Sequence, residues 1–452
     1  MRTTILIALF PTFAAPLFSA SVLVDSHAFD DLIAQGRAAF LASDLDRAES
    51  DYNQACPAGV TESYPVAKAV TCEDSLASVD EARGDLPRAE RQFLRAVSLA
   101  EQAGPAYLPL YCARLIDLGE HYHRAGRAAD SEATFQKAVD IARSLTATQS
   151  ALLPGALVHL GRLYSDSAQP ERGRAPLTEA LALMAAPGVG GRAKPPATEI
   201  ALAHDLLGLI DLASGRLHEA ESNLRESVAL ATGALGEDHP VSAAYQTNLA
   251  LVLMEESEPG PAELLLRRAQ FVVESLQSPP GSELAAIYAG LSDVASAQGR
   301  YEQAGDYARR AISILNMQQR PDAHSLAVAQ MTLAGVYLRA HDSASAEKIL
   351  PAAVEIQRQV TSSPGALAIA IQLLAELRAQ QRNWEAAEAL YREAIGIYER
   401  RGPENANPRV APLLRALADV LKHEGGSKEE VRALESRARD MLRSATQSAP
   451  RS

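Results

Sequence analysis

The chain of 452 residues is 47 % hydrophobic and 22 % charged, which supports a buried core and excludes a disordered polymer. Aromatic residues make up 5 %, with a single tryptophan, too few for an all-β sandwich or barrel. Forty-three bases against 56 acids leave a net charge of −13, which argues against nucleic acid as a partner, because affinity for a phosphate backbone rests on Lys and Arg.

At the N-terminus, Arg2 precedes an apolar run from Ile5 to Phe18, and the small residues Ser19, Ala20 and Ser21 follow. A charged start, an apolar middle and a small-residue cleavage site are the order of a secretory signal peptide, here residues 1–21. The expectation is an exported protein, periplasmic or secreted, with no stable membrane span after cleavage. The alternative is a chain anchored by the uncleaved segment, although Pro11 and Pro16 disfavour a stable membrane helix there.

From residue 29 to 444 the sequence repeats itself. Strings such as Ala89-Glu90-x-x-Phe93-x-x-Ala96, Ala220-Glu221-x-x-Leu224-x-x-Ser227 and Ala387-Glu388-x-x-Tyr391-x-x-Ala394 recur. Their final small residues stand at 55, 96, 138, 180, 227, 269, 311, 353, 394 and 438, a spacing close to 42. Spacings of three and four put the marked residues on one helical face. Nineteen residues before each final position lies another small residue: Gly36, Ala77, Gly119, Gly161, Gly208, Ala250, Ser292, Ala334 and Ala375, with Ala418 one residue out of step. Each copy is therefore read as two helices whose backbones approach at the small residues. Gly84, Gly126, Gly215 and Gly299 sit where the first helix must stop and turn, and Ser257–Pro261 replaces that glycine in the sixth copy. Two residues beyond the turn, Leu45, Leu86, Leu217, Tyr301 and Trp384 recur, so the lone tryptophan reads as a packing residue. The interval of 47 residues contains the Gly- and Pro-rich stretch 186–196, expected to be the least ordered internal loop, and residues 445–452 lack any core pattern and read as a disordered tail.

Leu235-Gly236-Glu237-Asp238-His239-Pro240-Val241 followed by Thr247-Asn248-Leu249-Ala250, and the turn Gly299-Arg300-Tyr301-Glu302-x-Ala304, resemble the tetratricopeptide repeat in the long 42-residue form of kinesin light chains. The resemblance implies an all-α, right-handed superhelical solenoid of about ten helix-turn-helix repeats, with the first helices lining a concave groove. It further implies a non-enzymatic scaffold for protein–protein interaction that binds a partner segment in that groove. The alternative is a regulatory or sensory subunit of a separately encoded enzyme.

Other chemistry finds little support. The stretch Gly188–Lys194 lacks the GK[ST] ending of a phosphate-binding loop. His121 and His123 are two apart and diverge on a helix, and His423-Glu424 lacks the second histidine of a zinc protease, so neither a metal nor any other cofactor is expected. No GxSxG or CxxC occurs. Three cysteines cannot all pair within one chain. In an exported chain Cys56 and Cys72 can bridge, since they stand at the end of one second helix and near the start of the next first helix. The alternative is three free buried thiols.

The resemblance implies that first-helix positions on either side of the small residue face the concave side, and helical geometry makes these offsets −3, +1, +4 and +5 from it. In the eight central copies these positions hold the acids Asp74, Glu81, Glu120, Asp166, Asp205, Glu255, Asp293 and Glu376 against the bases Arg124, Arg162 and Arg339. The lysines that clamp a terminal carboxylate in chaperone-binding relatives are missing; Lys68 is the only lysine in the first helices before the final copy. The resemblance therefore implies a neutral or basic partner segment contacting Asp205, Asp293, Arg162, Arg339 and Glu376. Asn248, matching the family's groove asparagine, would bond its backbone.

Overall fold

A computed structural model describes residues 26–57, 64–145, 152–167, 169–185, 195–277, 279, 281–318, 322–360, 364–400 and 409–447. Among them are twenty α-helices and no strand. They run in ten consecutive pairs: α1 (Ser26–Leu41) with α2 (Leu45–Ala55), α3 (Val66–Ala82) with α4 (Leu86–Gln102), α5 (Leu108–Arg124) with α6 (Ala128–Ser144), α7 (Leu152–Ser165) with α8 (Arg174–Ala185), and α9 (Ala197–Ala213) with α10 (Leu217–Leu235). The series continues with α11 (Pro240–Glu255) and α12 (Pro259–Glu274), α13 (Gly281–Ala297) and α14 (Tyr301–Asn316), α15 (Ala323–Arg339) and α16 (Ser343–Gln359), α17 (Pro364–Gln380) and α18 (Trp384–Glu399), and α19 (Val410–Glu424) and α20 (Lys428–Gln447). The chain is thus an all-α repeat solenoid of ten helix pairs. Residues 1–21 and 186–194 lie outside the described residues. The closing helix continues to Gln447, past the limit at 444 drawn from the core pattern.

The recurring small residues have a steric cause. A Cβ placed on Gly208 of α9 would lie 2.6 Å from Leu224 Cγ of α10, and Leu224 is fully buried. A Cβ on Gly36 would meet the Tyr52 ring at 2.5 Å. The large residue of each second helix thus fills the space that the small residue of the first leaves open.

The turns inside the repeats are built alike. Gly84, Gly126, Gly215 and Gly299 have φ between 72° and 82°, and Ser43, Ser257, His341 and Arg382 hold the same position with φ between 58° and 65°. In each case the next amide donates back across the helix end to the carbonyl five residues earlier, for example Arg300 N to Ala295 O (2.8 Å), Glu258 N to Leu253 O (2.8 Å) and Asn383 N to Arg378 O (2.9 Å). Asp44, Asp85, Asp342 and Asn383 then cap the second helix by accepting from the amide three residues on. The sixth copy, which lacks glycine here, therefore keeps the turn with Ser257.

Two compact units are distinguished, Met1–His121 and Tyr122–Ser452. In the first, Phe29, Ile33, Tyr52, Cys56, Cys72 and Val79 form the core around α1–α3. In the second, continuous apolar clusters run from Leu212 to Val336 and from Ala327 to Met441. Trp384, half-buried, joins the latter and stacks on His423 with centroids 4.5 Å apart, as a packing residue would. Within this unit each first helix from α7 to α15 touches the next first helix, whereas among the described residues the second helices make no comparable contact with one another. A stack bends toward the side on which its elements are closer, so the first helices line the inner surface of the second unit.

Candidate functional site

The inner surface of the second unit is built from equivalent positions on α7, α9, α11, α13, α15 and α17. Asp205 of α9, 4 % exposed, accepts from Asn248 Nδ2 of α11 through both oxygens, at 3.0 and 3.1 Å. Burial, opposed by that hydrogen bond, pushes its carboxyl up to about 7. The Tyr245 phenol is pushed to about 12 by burial and by the charge of Asp205, against the opposing charge of Arg162. Arg162 itself is exposed on α7.

One repeat on, Asp293 of α13 is half-buried and makes no hydrogen bond or ion pair among the described residues. Burial raises its carboxyl to about 6, with Arg339 lowering and Glu255 raising it. Arg339 at the end of α15 donates from Nη1 to Ser296 Oγ of α13 at 2.9 Å. Glu376 of α17, also half-buried, has no hydrogen bond or ion pair among the described residues either; burial raises its carboxyl while Arg339 and His341 oppose the rise. Asp293, Arg339 and Glu376 thus form a neighbourhood in which two carboxylates share the field of one guanidinium that is itself held by a serine.

The sequence-derived residues fare differently from one another. Asp205 and Asn248 come together, but with each other: the Asn248 amide hydrogens are directed at the Asp205 carboxylate instead of an open backbone site. Asp293, Arg339 and Glu376 cluster. Arg162 reaches Tyr245 only through its charge. Of the remaining acids, Asp74 pairs with Arg114 (2.6 Å), Glu81 with His121 Nδ1 (2.7 Å) and Asp166 with His123 Nε2 (3.0 Å). Glu255 pairs with Arg409 at 2.6 Å. Ser296 and Arg409 escaped the sequence reading. The first is neutral and carries no charge signal, and the second stands in a different repeat, 154 residues from its partner.

His121, 1 % exposed, packs against Phe93 with centroids 5.3 Å apart. It behaves as a satisfied core histidine. No cluster of three or more His, Cys, Asp or Glu able to hold a metal occurs among the described residues. The Cys56 and Cys72 sulfurs are bonded, with Cα atoms 5.7 Å apart, while Cys112 is free and buried, its thiol pushed to about 11 by burial. No described helix is long and apolar enough to cross a membrane.

The repeat geometry and the inner surface define a class, the helical-repeat interaction proteins. A family model for the tetratricopeptide repeat matches residues 68–144, 199–270 and 283–359, together half of the chain. The chain belongs to the tetratricopeptide repeat family. Among curated proteins no sequence match is found. Among solved structures it is similar to the apo form of RapI, at 11 % identity over 83 % of this chain and 99 % of that one, with a TM-score of 0.57. It is similar to the apo form of the quorum sensor NprR from B. thuringiensis, at 14 % identity over 73 % of this chain and 87 % of that one, with a TM-score of 0.52. A Rap protein complexed with competence and sporulation factor aligns at 10 % identity over 93 % and 99 %, with a TM-score of 0.51. At these identities the likeness is one of fold alone. Membership of the repeat family supports a protein-interaction scaffold or a regulatory binding role.

Proposed function

We propose that the chain is a non-enzymatic scaffold whose second unit binds a neutral or basic segment of a partner protein along the first helices α9 to α17. The observation that carries this reading is the pair of half-buried carboxylates, Asp293 and Glu376, which lack any hydrogen-bond partner among the described residues. A desolvated carboxylate without a partner is costly to keep. A cationic or N–H donor group from a ligand supplies the missing contact. Cross-linking mass spectrometry on the protein isolated with its partners tests the reading. Cross-links from the partner are expected on α9, α11, α13, α15 and α17; cross-links confined to the second helices contradict it.

A second reading, a regulatory or sensory subunit of a separately encoded enzyme, is favoured by a single observation, the fold shared with a quorum sensor, and it uses the same groove. Export is part of the proposal as well. The order of residues 1–21 supports it, and so does the Cys56–Cys72 bond, since disulfides persist in oxidising compartments. Non-reducing peptide mapping of the protein from its native compartment is expected to recover Cys56 and Cys72 in one bridged fragment. Recovery of both as alkylatable thiols contradicts export to an oxidising space.

A further inference from the structure

Glu255 and Arg409 belong to repeats that do not neighbour one another. Glu255 ends α11, and Arg409 caps the start of α19, four repeats later, yet Arg409 Nη2 lies 2.6 Å from Glu255 Oε1. Arg409 is presented by a firmly packed element: the residues that follow it, Val410, Ala411, Leu413 and Leu414, are all at most 2 % exposed. Glu255 occupies the +5 position of its helix, on the inner surface, and its charge reaches Asp293 on the next first helix. An arginine of this chain therefore sits on the acidic stretch of its own groove.

We propose that the Arg409–Glu255 pair is an autoinhibitory clasp: Arg409 fills the place that a cationic side chain of the partner takes, and binding of a basic segment displaces it. The inference rests on the groove reading above and specifies its partner chemistry as a guanidinium or ammonium group at Glu255. Both side chains are partly exposed, at 26 % and 39 %. A pair so open to water is weak. It lowers the apparent affinity of a competing segment by a modest factor and can be opened by one. Asp293 on α13 feels the charge of Glu255, and Arg339 on α15 opposes that effect.

The test uses the full chain and a fluorescein-labelled, C-terminally amidated peptide of alternating Arg and Ala, with binding read by anisotropy at low salt. Arg409→Ala is expected to bind this peptide about 3- to 10-fold more tightly than the parent, because the internal competitor is gone. Glu255→Gln is expected to show no gain, because the acceptor is gone as well. A latch that merely holds the unit closed gives the same change in both variants and overturns the proposal. No gain in Arg409→Ala also overturns it, whether the peptide binds equally or not at all. The groove reading is scored separately by Asp293→Asn and Glu376→Gln placed in the Arg409→Ala chain. If these leave peptide affinity unchanged, the groove reading fails; if they weaken it while Arg409→Ala alone shows no gain, only the clasp fails. Thermal melts of each variant, expected within about 3 °C of the parent, establish that the fold is kept.

Discussion

Asp205 carries the strongest pH signature among single residues. Burial raises its carboxyl from 3.8 to about 7, and the Asn248 hydrogen bond opposes that rise only in part. Between those two values the folded chain holds a proton that the unfolded chain has released, so stability is highest at the acidic end of this window and falls as pH rises through it. The full difference corresponds to roughly 4 kcal/mol as a ceiling. Asp205→Asn is expected to flatten the stability profile between pH 4 and 7 and to raise stability above pH 7. Urea unfolding across that range checks this, and a parent whose stability rises toward pH 7 contradicts it. Gly208 makes a steric prediction. Gly208→Ala forces a Cβ to within 2.6 Å of Leu224 Cγ and 3.2 Å of the Ala220 carbonyl. The expected cost is about 1–3 kcal/mol. Leu224→Ala alone is expected to cost about 2–5 kcal/mol through the cavity it leaves. The double variant should cost less than the sum, since each change relieves the other; strict additivity in urea midpoints argues against the contact. Residues of this kind were legible in the sequence because one steric demand recurs in every copy. The Asp205–Asn248 pair was not. Both residues could be placed on the inner surface, but a one-dimensional pattern does not say that two groove side chains satisfy each other before any ligand does.

The turn between helices shows where residue identity stops being informative at the scale of an element. Glycine at 84, 126, 215 and 299 announces the left-handed residue, yet Ser43, Ser257, His341 and Arg382 adopt the same conformation. The helix end demands it: the amide one residue on must reach the carbonyl five residues back, and the next helix must start antiparallel. A side chain other than glycine in that region is strained. Arg382→Gly is therefore expected to raise stability by about 0.5–1 kcal/mol, and Gly299→Ala to lower it by about 1 kcal/mol. Differential scanning of the two variants checks the pair of signs; opposite signs refute the account of the turn. In the sixth copy Ser257–Pro261 departs from the glycine turn in composition and not in backbone geometry. The hydrogen bond from Glu258 N to Leu253 O shows the turn unchanged.

For the whole molecule, the 42-residue spacing made the ten helix pairs legible, since each pair buries the same face against its neighbours and the pattern must repeat for the core to continue. What the spacing could not supply is the consequence of stacking many copies. The meeting of Glu255 with Arg409 depends on curvature accumulated over four repeats, and no local motif at either residue signals it. The same holds for the inner carboxylates: position marks them as groove residues, while their elevated proton affinity comes from the walls that the stack puts around them. Charge selection by this surface is the central claim, and equilibrium binding of charge-matched peptides to the full chain tests it most directly. Peptides of identical length and backbone, one alternating Arg with Ala and one alternating Glu with Ala, are titrated at pH 5 and pH 8. The basic peptide is expected to bind more tightly at pH 8, where Asp293, with its carboxyl near 6, is ionised, and to lose affinity as pH falls through 6. Asp293→Asn and Glu376→Gln are each expected to weaken it about 3- to 10-fold at pH 8. Tighter binding of the acidic peptide, dependent on Arg162 and Arg339, contradicts the account.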